Sequence, residues 1–207
     1  ATTSNWTLTG LYDRSAYLMG LPVTVLGKLG DSVLFSGMSM MQDNKVKLKA
    51  TVLNAIHGVL IFVLPLTVLL IIRAEEFTII LLGSSYIEAV PIVAILFSCV
   101  AFRSLIKIGD ETMRATDKLT VGTIIKLGFL ISVGIGTWHY MSESNVLRVA
   151  WIVAFCTFVQ ALAISAWLLI SLKIRVNTLS SKALPGIYLS FTVLLGALAI
   201  EAIPINE

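Results

Sequence analysis

Three stretches of this chain run the length of a membrane-crossing helix without a single Asp, Glu, Lys or Arg: residues 50–72, 149–172 and 183–200. The hydrocarbon core of a bilayer is about 30 Å thick and takes about 20 apolar residues of helix to cross. Backbone at that depth has no water to bond, so it must close its own hydrogen bonds as helix. Composition agrees: 57% of residues are hydrophobic and 13% charged, where soluble domains carry about 45–50% and about 25%. A cytosolic, nuclear or disulfide-rich secreted domain is excluded, and a net charge of +3 is too small for a nucleic-acid surface. The expected fold is all-α, a polytopic transmembrane helical bundle.

Three further spans complete the set. One covers about 89–107 and ends in Arg103 and Lys107. Another covers about 119–140 and is interrupted only by Lys126. The first, about 11–41, holds Asp13, Arg14, Lys28 and Asp31. With 50–72, 149–172 and 183–203 these make about six spans in a single lobe over residues 1–207. The loops supply an orientation. Lys45, Lys47 and Lys49, then Lys107, Arg114 and Lys118, then Lys173, Arg175 and Lys182 fall on one side, nine bases in all. The other two loops hold only Arg73 and Arg148, alongside Glu75, Glu76 and Glu143. The basic side faces the cytoplasm, so both chain ends are expected outside. The chain starts Ala-Thr-Thr with no Met and no signal-peptide pattern, and an N-terminally truncated piece of a longer protein is expected.

Ionisable groups at membrane depth are costly and usually face a bundle interior or an aqueous cavity. On the first span Arg14, Tyr17, Thr24, Lys28, Asp31 and Ser39 fall on one stripe. That stripe suits a helix lining a cavity; the alternative is a structural Lys28–Asp31 pair at i and i+3. Lys126 stands about two turns into its span, placed equally for a ligand contact or for snorkelling to the headgroups. Arg103 and Lys107 read as anchors at the cytoplasmic face, with contact to a lipid phosphate as the sharper option. Asp110, Glu111 and Asp117 read as solvated loop charges. His57 is expected as a hydrogen-bonded interior imidazole, and Trp138, His139 and Tyr140 as an interfacial aromatic belt. Pro22 and Pro65 fall inside spans and are expected to bend them; Pro185 reads as lying near a helix start. Cys99 and Cys156, each inside an apolar run, read as buried free thiols. No metal-ligand spacing, phosphate loop or nucleophile constellation occurs, so neither an enzyme nor a cofactor is expected.

The stretch Gly10-Leu-Tyr-Asp-Arg-Ser-Ala-Tyr-Leu-Met-Gly-Leu-Pro22 resembles a helix of bacterial polysaccharide flippases. These are the Wzx-type O-antigen, capsule and exopolysaccharide repeat-unit translocases of the MATE-like multidrug/oligosaccharidyl-lipid/polysaccharide superfamily. Val33-Leu-Phe35 with Ser39 and Gln42-Asp43 resembles the end of the same family helix. Leu82-Gly83 with Tyr86, Ala89, Pro91-Ile92 and Leu96 resembles the entry to a later one. The likeness covers roughly residues 10–118; beyond Leu119 only hydropathy agrees. Ser36 stands where the family usually has Pro, Met40 where a basic residue is common, and Ala115-Thr116-Asp117 replaces a Gly-Arg turn.

The resemblance implies the C-terminal part of a two-lobe transporter in the bacterial inner membrane. Its cargo would be undecaprenyl-pyrophosphate-linked oligosaccharide, translocated by alternating access for lipopolysaccharide or exopolysaccharide biosynthesis. Arg14 and Lys28 would be cavity cations, Asp31 their tuning partner, Tyr17 a pathway residue and Lys126 a further cation. Membrane lipids and polysaccharide polymerase or assembly proteins would be partners, and nucleic acid would not. Two other functions fit the residues: a cation-coupled multidrug or small-molecule antiporter relying on Asp31, and a non-transporting membrane subunit of a polysaccharide assembly complex.

Overall fold

The computed structural model describes residues 10–24, 37, 38, 40, 44–140, 146–174 and 176–202, and they contain helices and turns but no strand. We label the helices α1 (10–24), α2 (Lys45–Ile72), α3 (Ala74–Leu82), α4 (Val90–Phe97), α5 (Cys99–Ala115), α6 (Leu119–Tyr140), α7 (Val146–Ser171) and α8 (Val176–Ala202), with a 3-10 turn over Ser84–Ala89. Helices α2, α6 over Leu119–Trp138, and α7 are each long and apolar enough to cross a membrane. A fourth crossing is made if the segment Ser84–Phe97 and α5, bent by 41° at their junction, count together. These four correspond to the expected spans at 50–72, 119–140, 149–172 and 89–107. Ser181–Ala197 within α8 is a shorter apolar stretch. Of the first expected span, 10–24 is helical. Lys28, Asp31 and the 33–35, 39 and 42–43 motif positions lie outside the described residues, as do the side chains of His139 and Tyr140.

Local chemistry sets the breaks. Asn44 caps α2 by accepting the Lys47 N–H at 3.1 Å, which satisfies one of the donors a helix start leaves open. Helix α3 stops at Gly83, whose φ of +95° suits a residue without Cβ. Pro91 stands in the first turn of α4, where its missing N–H costs nothing. At the bend, the Ser98 hydroxyl donates to the Ile95 carbonyl at 2.6 Å, a back-bond of the type that bends helices. Helices α5 and α7 end alike. Asp117 and Lys173 turn left-handed (φ 53° and 48°), and the next N–H bonds back to Met113 at 2.8 Å and to Leu169 at 3.0 Å, closing the last turn as a Schellman motif does.

Two apolar clusters hold the bundle. One joins Leu18 and Met19 of α1, Val63 and Leu70 of α2, the α4–α5 junction, and Ala150, Val153 and Ala154 of α7. The other joins Leu48, Val52 and Ile56 at the start of α2 to Ile108 and Met113 of α5 and to Ala161, Ile164 and Leu168 of α7. Helix α2 therefore runs from the second cluster to the first, whereas α5 and α7 run the opposite way. The basic loops before α2, after α5 and after α7 consequently share one end of the bundle, as the alternation of loop charge requires. A direct contact agrees: Lys49 Nζ donates to the Lys173 carbonyl at 2.6 Å. Single cysteines at positions 47 and 118 are expected to react with an impermeant thiol reagent from the cytoplasmic side only, and a cysteine at 75 from the other. Labelling of 47 and 75 from the same side would contradict this arrangement.

The outer faces of α6 and α7 are apolar as well. Ile124, Leu130, Ile131 and Ile135 of α6 and Trp151 and Phe155 of α7 are all more than half exposed. Apolar residues all round a helix mark a membrane span. Buried hydroxyls are satisfied within their own helices: those of Thr67, Thr78, Ser104, Thr112 and Thr157 each donate to the carbonyl four residues back. Outside the spans, Arg73 Nη1 meets Glu76 Oε1 at 2.7 Å, and this hydrogen bond holds the Glu76 carboxyl below its ordinary range. A lowered folded-state value adds stability above the unfolded pKa and loses it as pH falls through the folded one. Glu76 is exposed and Arg73 partly so, and screening by water keeps the effect small. Glu76→Gln is expected to narrow slightly the gap between apparent Tm at pH 7 and at pH 4.

Helix α8 starts at Val176 and carries Pro185 in its interior, rather than starting near Pro185 as the hydropathy edge at 183 implied. It lies tightly on α2. A Cβ on Gly186 would fall on the backbone of Leu60, so only Gly allows this approach. Near the crossing, His57 Nδ1 lies 2.8 Å from the Lys182 carbonyl and donates to it, the interior hydrogen bond expected for this imidazole. Interhelical hydrogen bonds in membranes are worth about 0.6 kcal/mol on average, with a maximum of about 1.7. His57→Phe should lower stability by that order in a detergent unfolding titration, and an unchanged midpoint would refute the contact.

Candidate functional site

Arg103, Lys107, Asp110 and Arg114 recur at steps of four, three and four and so share one face of α5. That face forms a wall of a cavity of about 510 Å³. Glu111 and Ile106 complete the α5 side, Lys126 and Phe129 come from α6, Thr157 and Gln160 from α7, and Val23 from α1. Four cations against two carboxylates leave this lining with a surplus of two positive charges at neutral pH. The cavity runs along α5 from Arg103 to Arg114, beside the first half of α6 and the middle of α7.

Two ion pairs organise the charges. Lys126 Nζ stands 2.9 Å from Asp110 Oδ2 and ties α6 to α5. Arg114 Nη1 stands 3.3 Å from Glu111 Oε1, one turn apart on α5. The carboxylates are the shielded partners: the Glu111 side chain is 8% exposed and that of Asp110 22%, against 59% for Arg114 and 55% for Lys126. A buried carboxylate without a partner is strongly unfavourable, so the acids hold the cations at the cavity wall while the cationic ends reach into open space. An incoming anion therefore meets guanidinium and ammonium donors, which give short charge-assisted hydrogen bonds.

Of the residues singled out from the sequence, Arg103, Lys107 and Lys126 come together here. Arg14 and Tyr17 do not. Helix α1 buries Ser15, Leu18 and Met19 and presents Asp13, Arg14, Tyr17 and Thr24 outward. The part of the polar stripe that is described thus lies on one face, directed away from the bundle, and only Val23 of α1 reaches the cavity. Lys28 and Asp31 are outside the described residues. Asp110, Glu111 and Arg114 correct the sequence reading: they are not loop charges, because α5 continues to Ala115, past the edge at Lys107 where hydropathy ends the span. The four-three-four spacing from Arg103 to Arg114 is the signal that could have found them. Gln160, a lone amide in the uncharged run 149–172, was a second signal.

Residues 2–91 match a family described as polysaccharide biosynthesis protein. The match ties the first part of this chain to polysaccharide biosynthesis. It covers α1 to α3 and the first residues of α4, so of the cavity lining it includes Val23 alone. No curated protein and no solved structure matches the chain. Long apolar helices describe a helical membrane protein, and the similarity of residues 2–91 supports a role in polysaccharide biosynthesis.

Proposed function

We propose that this chain forms part of a flippase that carries undecaprenyl-pyrophosphate-linked oligosaccharide from the cytoplasmic to the outer leaflet of the bacterial inner membrane. The observation that carries this reading is the cationic cavity between α5, α6 and α7. A carrier of such a lipid has to shelter a pyrophosphate and sugars from hydrocarbon while the isoprenoid stays among lipids. Positive charges fixed along the cavity wall stabilise the anion through charge-assisted hydrogen bonds. Arg103 and Arg114 offer planar donor forks suited to phosphate oxygens, and Lys107 and Lys126 act as point charges. Gln160 supplies a neutral amide to the cavity for sugar hydroxyls.

Asp110 has the opposite task. It holds Lys126 in place and competes with the anion for it, which keeps the headgroup releasable. The outward stripe of α1, Arg14 with Tyr17 and Thr24, faces where the second lobe of a two-lobe transporter would stand. Lys28 and Asp31 extend the same stripe in sequence. Rocking between lobes would then open the cavity to one side and the other. No bond is made or broken in this cycle, so the protein acts as a carrier rather than an enzyme. Polysaccharide polymerase and assembly proteins would receive the cargo.

The test is complementation in a strain whose own flippase has been deleted. The intact protein is expected to restore surface polysaccharide, and the Arg103→Gln/Lys126→Gln form, present in the membrane at the same level, is expected not to. Restoration by both forms equally would overturn the assignment of the cavity. Cation-dependent drug efflux without any polysaccharide phenotype would favour the antiporter instead.

A further inference from the structure

A separate cavity of about 200 Å³ lies among α2, α5, α7 and α8. Leu105 lines it from the face of α5 opposite Arg103 and Lys107, and no lining residue belongs to the cationic cavity as well. Ile56 and Leu60 of α2, Leu168 of α7 and Ile174 just after it also line this space. Each of these four is at most 9% exposed, so the space lies inside the bundle. Small side chains at Ser165 of α7 and Ala183 of α8 leave room that larger ones would fill. The surrounding elements are held in place. Lys49 Nζ donates to the Lys173 carbonyl at 2.6 Å, the Ile174 N–H bonds back to Leu169 at 3.0 Å, and Gly186 lays α8 against the backbone of Leu60.

Ser165 sets this cavity apart. Thr157 on the same helix, and Ser104 and Thr112 on α5, donate their hydroxyls to the carbonyl four residues back. The Ser165 hydroxyl has no hydrogen-bond partner among the described residues, and it is not sealed away by protein. One donor and acceptor therefore stands open at an apolar wall. A water molecule needs about two to four polar partners, and the side chains here offer one. Walls that face a void lose their dispersion contacts outright, and an apolar body of matching size restores them. An engineered apolar cavity of about 150 Å³ takes up benzene; this one is larger and has space for a ring with small alkyl branches.

We propose that this cavity is a binding site for a small alkylphenol, with the ring and its branches against Ile56, Leu60 and Leu168 and the phenol hydroxyl bonded to Ser165. Sites for small molecules commonly pair apolar walls with a few placed polar groups that fix orientation. A rigid ring also loses less freedom on enclosure than a flexible chain of the same volume. The ligand would tie α8 to α7 as well as to α2, and binding to the folded form alone stabilises it. The site rests on no step of the transport reading.

The probe is radiolabelled thymol, a phenol with one methyl and one isopropyl branch, and the intact protein is held in phospholipid nanodiscs. Binding is taken as the saturable part above partition into protein-free nanodiscs. One saturable site per chain is expected, and p-cymene, the same molecule without the hydroxyl, should compete about fivefold more weakly. Ser165→Ala should bring the two within about twofold of each other. Ala183→Phe fills the cavity and should remove the saturable part, whereas Leu130→Phe on the exposed face of α6 should leave it. Ser165→Ala removes a single atom and carries the test should Ala183→Phe not fold.

Absence of saturable binding in nanodiscs would overturn the proposal. Binding seen in detergent alone counts as that absence, since lipid chains would then hold the cavity in a bilayer. Equal competition by p-cymene in the wild type, a preference for thymol that survives Ser165→Ala, or saturable binding in Ala183→Phe would overturn it as well.

Discussion

Lys126→Gln and Asp110→Asn are expected to change affinity for a pyrophosphate-headed lipid in opposite directions. The two side chains form one ion pair at 2.9 Å. If that pair only braced α5 against α6, removing either partner would loosen the same contact, and the two variants would resemble each other. In a headgroup site they differ. Lysine is the donor the phosphate uses, and the carboxylate is its rival. A hydrogen bond to a charged group is worth about 1.5–3 kcal/mol, and Lys126 is half open to solvent, which places its loss at the lower end, about tenfold in affinity. Arg103→Gln together with Lys126→Gln should cost about a hundredfold if the two act independently. Asp110→Asn should tighten binding by a few fold, with slower release. Titration of undecaprenyl pyrophosphate into the intact protein in nanodiscs checks all three, and a fall in affinity for Asp110→Asn equal to that for Lys126→Gln would show the pair to be a brace.

The largest effect on stability is expected at Gly186. Substitution by Leu drives a side chain into the backbone of Leu60, where a Cβ already overlaps the carbonyl. Backbone cannot rotate aside as a flexible side-chain tip can. Helix α8 must then lift from α2, breaking the nearby His57–Lys182 hydrogen bond. Overpacking in a close-packed interior costs about 1–3 kcal/mol and sometimes more, and here the yielding element is a whole helix. Gly186→Leu is expected to abolish recovery of monodisperse protein, and Gly186→Ala to lower apparent Tm in detergent. Gly196→Leu on the same helix, where a Cβ would meet nothing within 4 Å, should be tolerated. Equal behaviour of the two Leu variants would refute the tight crossing.

What could be read in the sequence followed one physical rule. Charge is excluded from hydrocarbon, so the uncharged run 50–72 marked most of α2 and 149–172 most of α7, and the loop lysines fixed which helix ends lie together. The same rule hid what lies at the edges. Helix α5 extends beyond the apolar stretch to Ala115 because a helix does not stop where lipid does, and Asp110, Glu111 and Arg114 consequently looked like loop residues. Helix α8 likewise starts at Val176, ahead of the polar Ser180, Ser181 and Lys182. The bend at Ser98 left no mark in hydropathy; the Ser98 hydroxyl bonds to the Ile95 carbonyl there. Lys126 stood out as a lone charge in an apolar helix, but its partner on α5 could come only from the packing of the two helices. The outward direction of Arg14 and Tyr17 is consistent with the stripe drawn from spacing, though not with a place in the cavity found here.

The most direct test of the central claim is leaflet transfer in proteoliposomes holding the intact protein and a fluorescent undecaprenyl-pyrophosphate oligosaccharide. Arrival at the opposite leaflet is followed with an impermeant quencher. The account predicts protein-dependent transfer that is lost in Arg103→Gln/Lys126→Gln and retained in Trp138→Leu, a change on the lipid-facing side of α6. No transfer by the intact protein, or transfer at the same rate after the cavity has lost both cations, would contradict it.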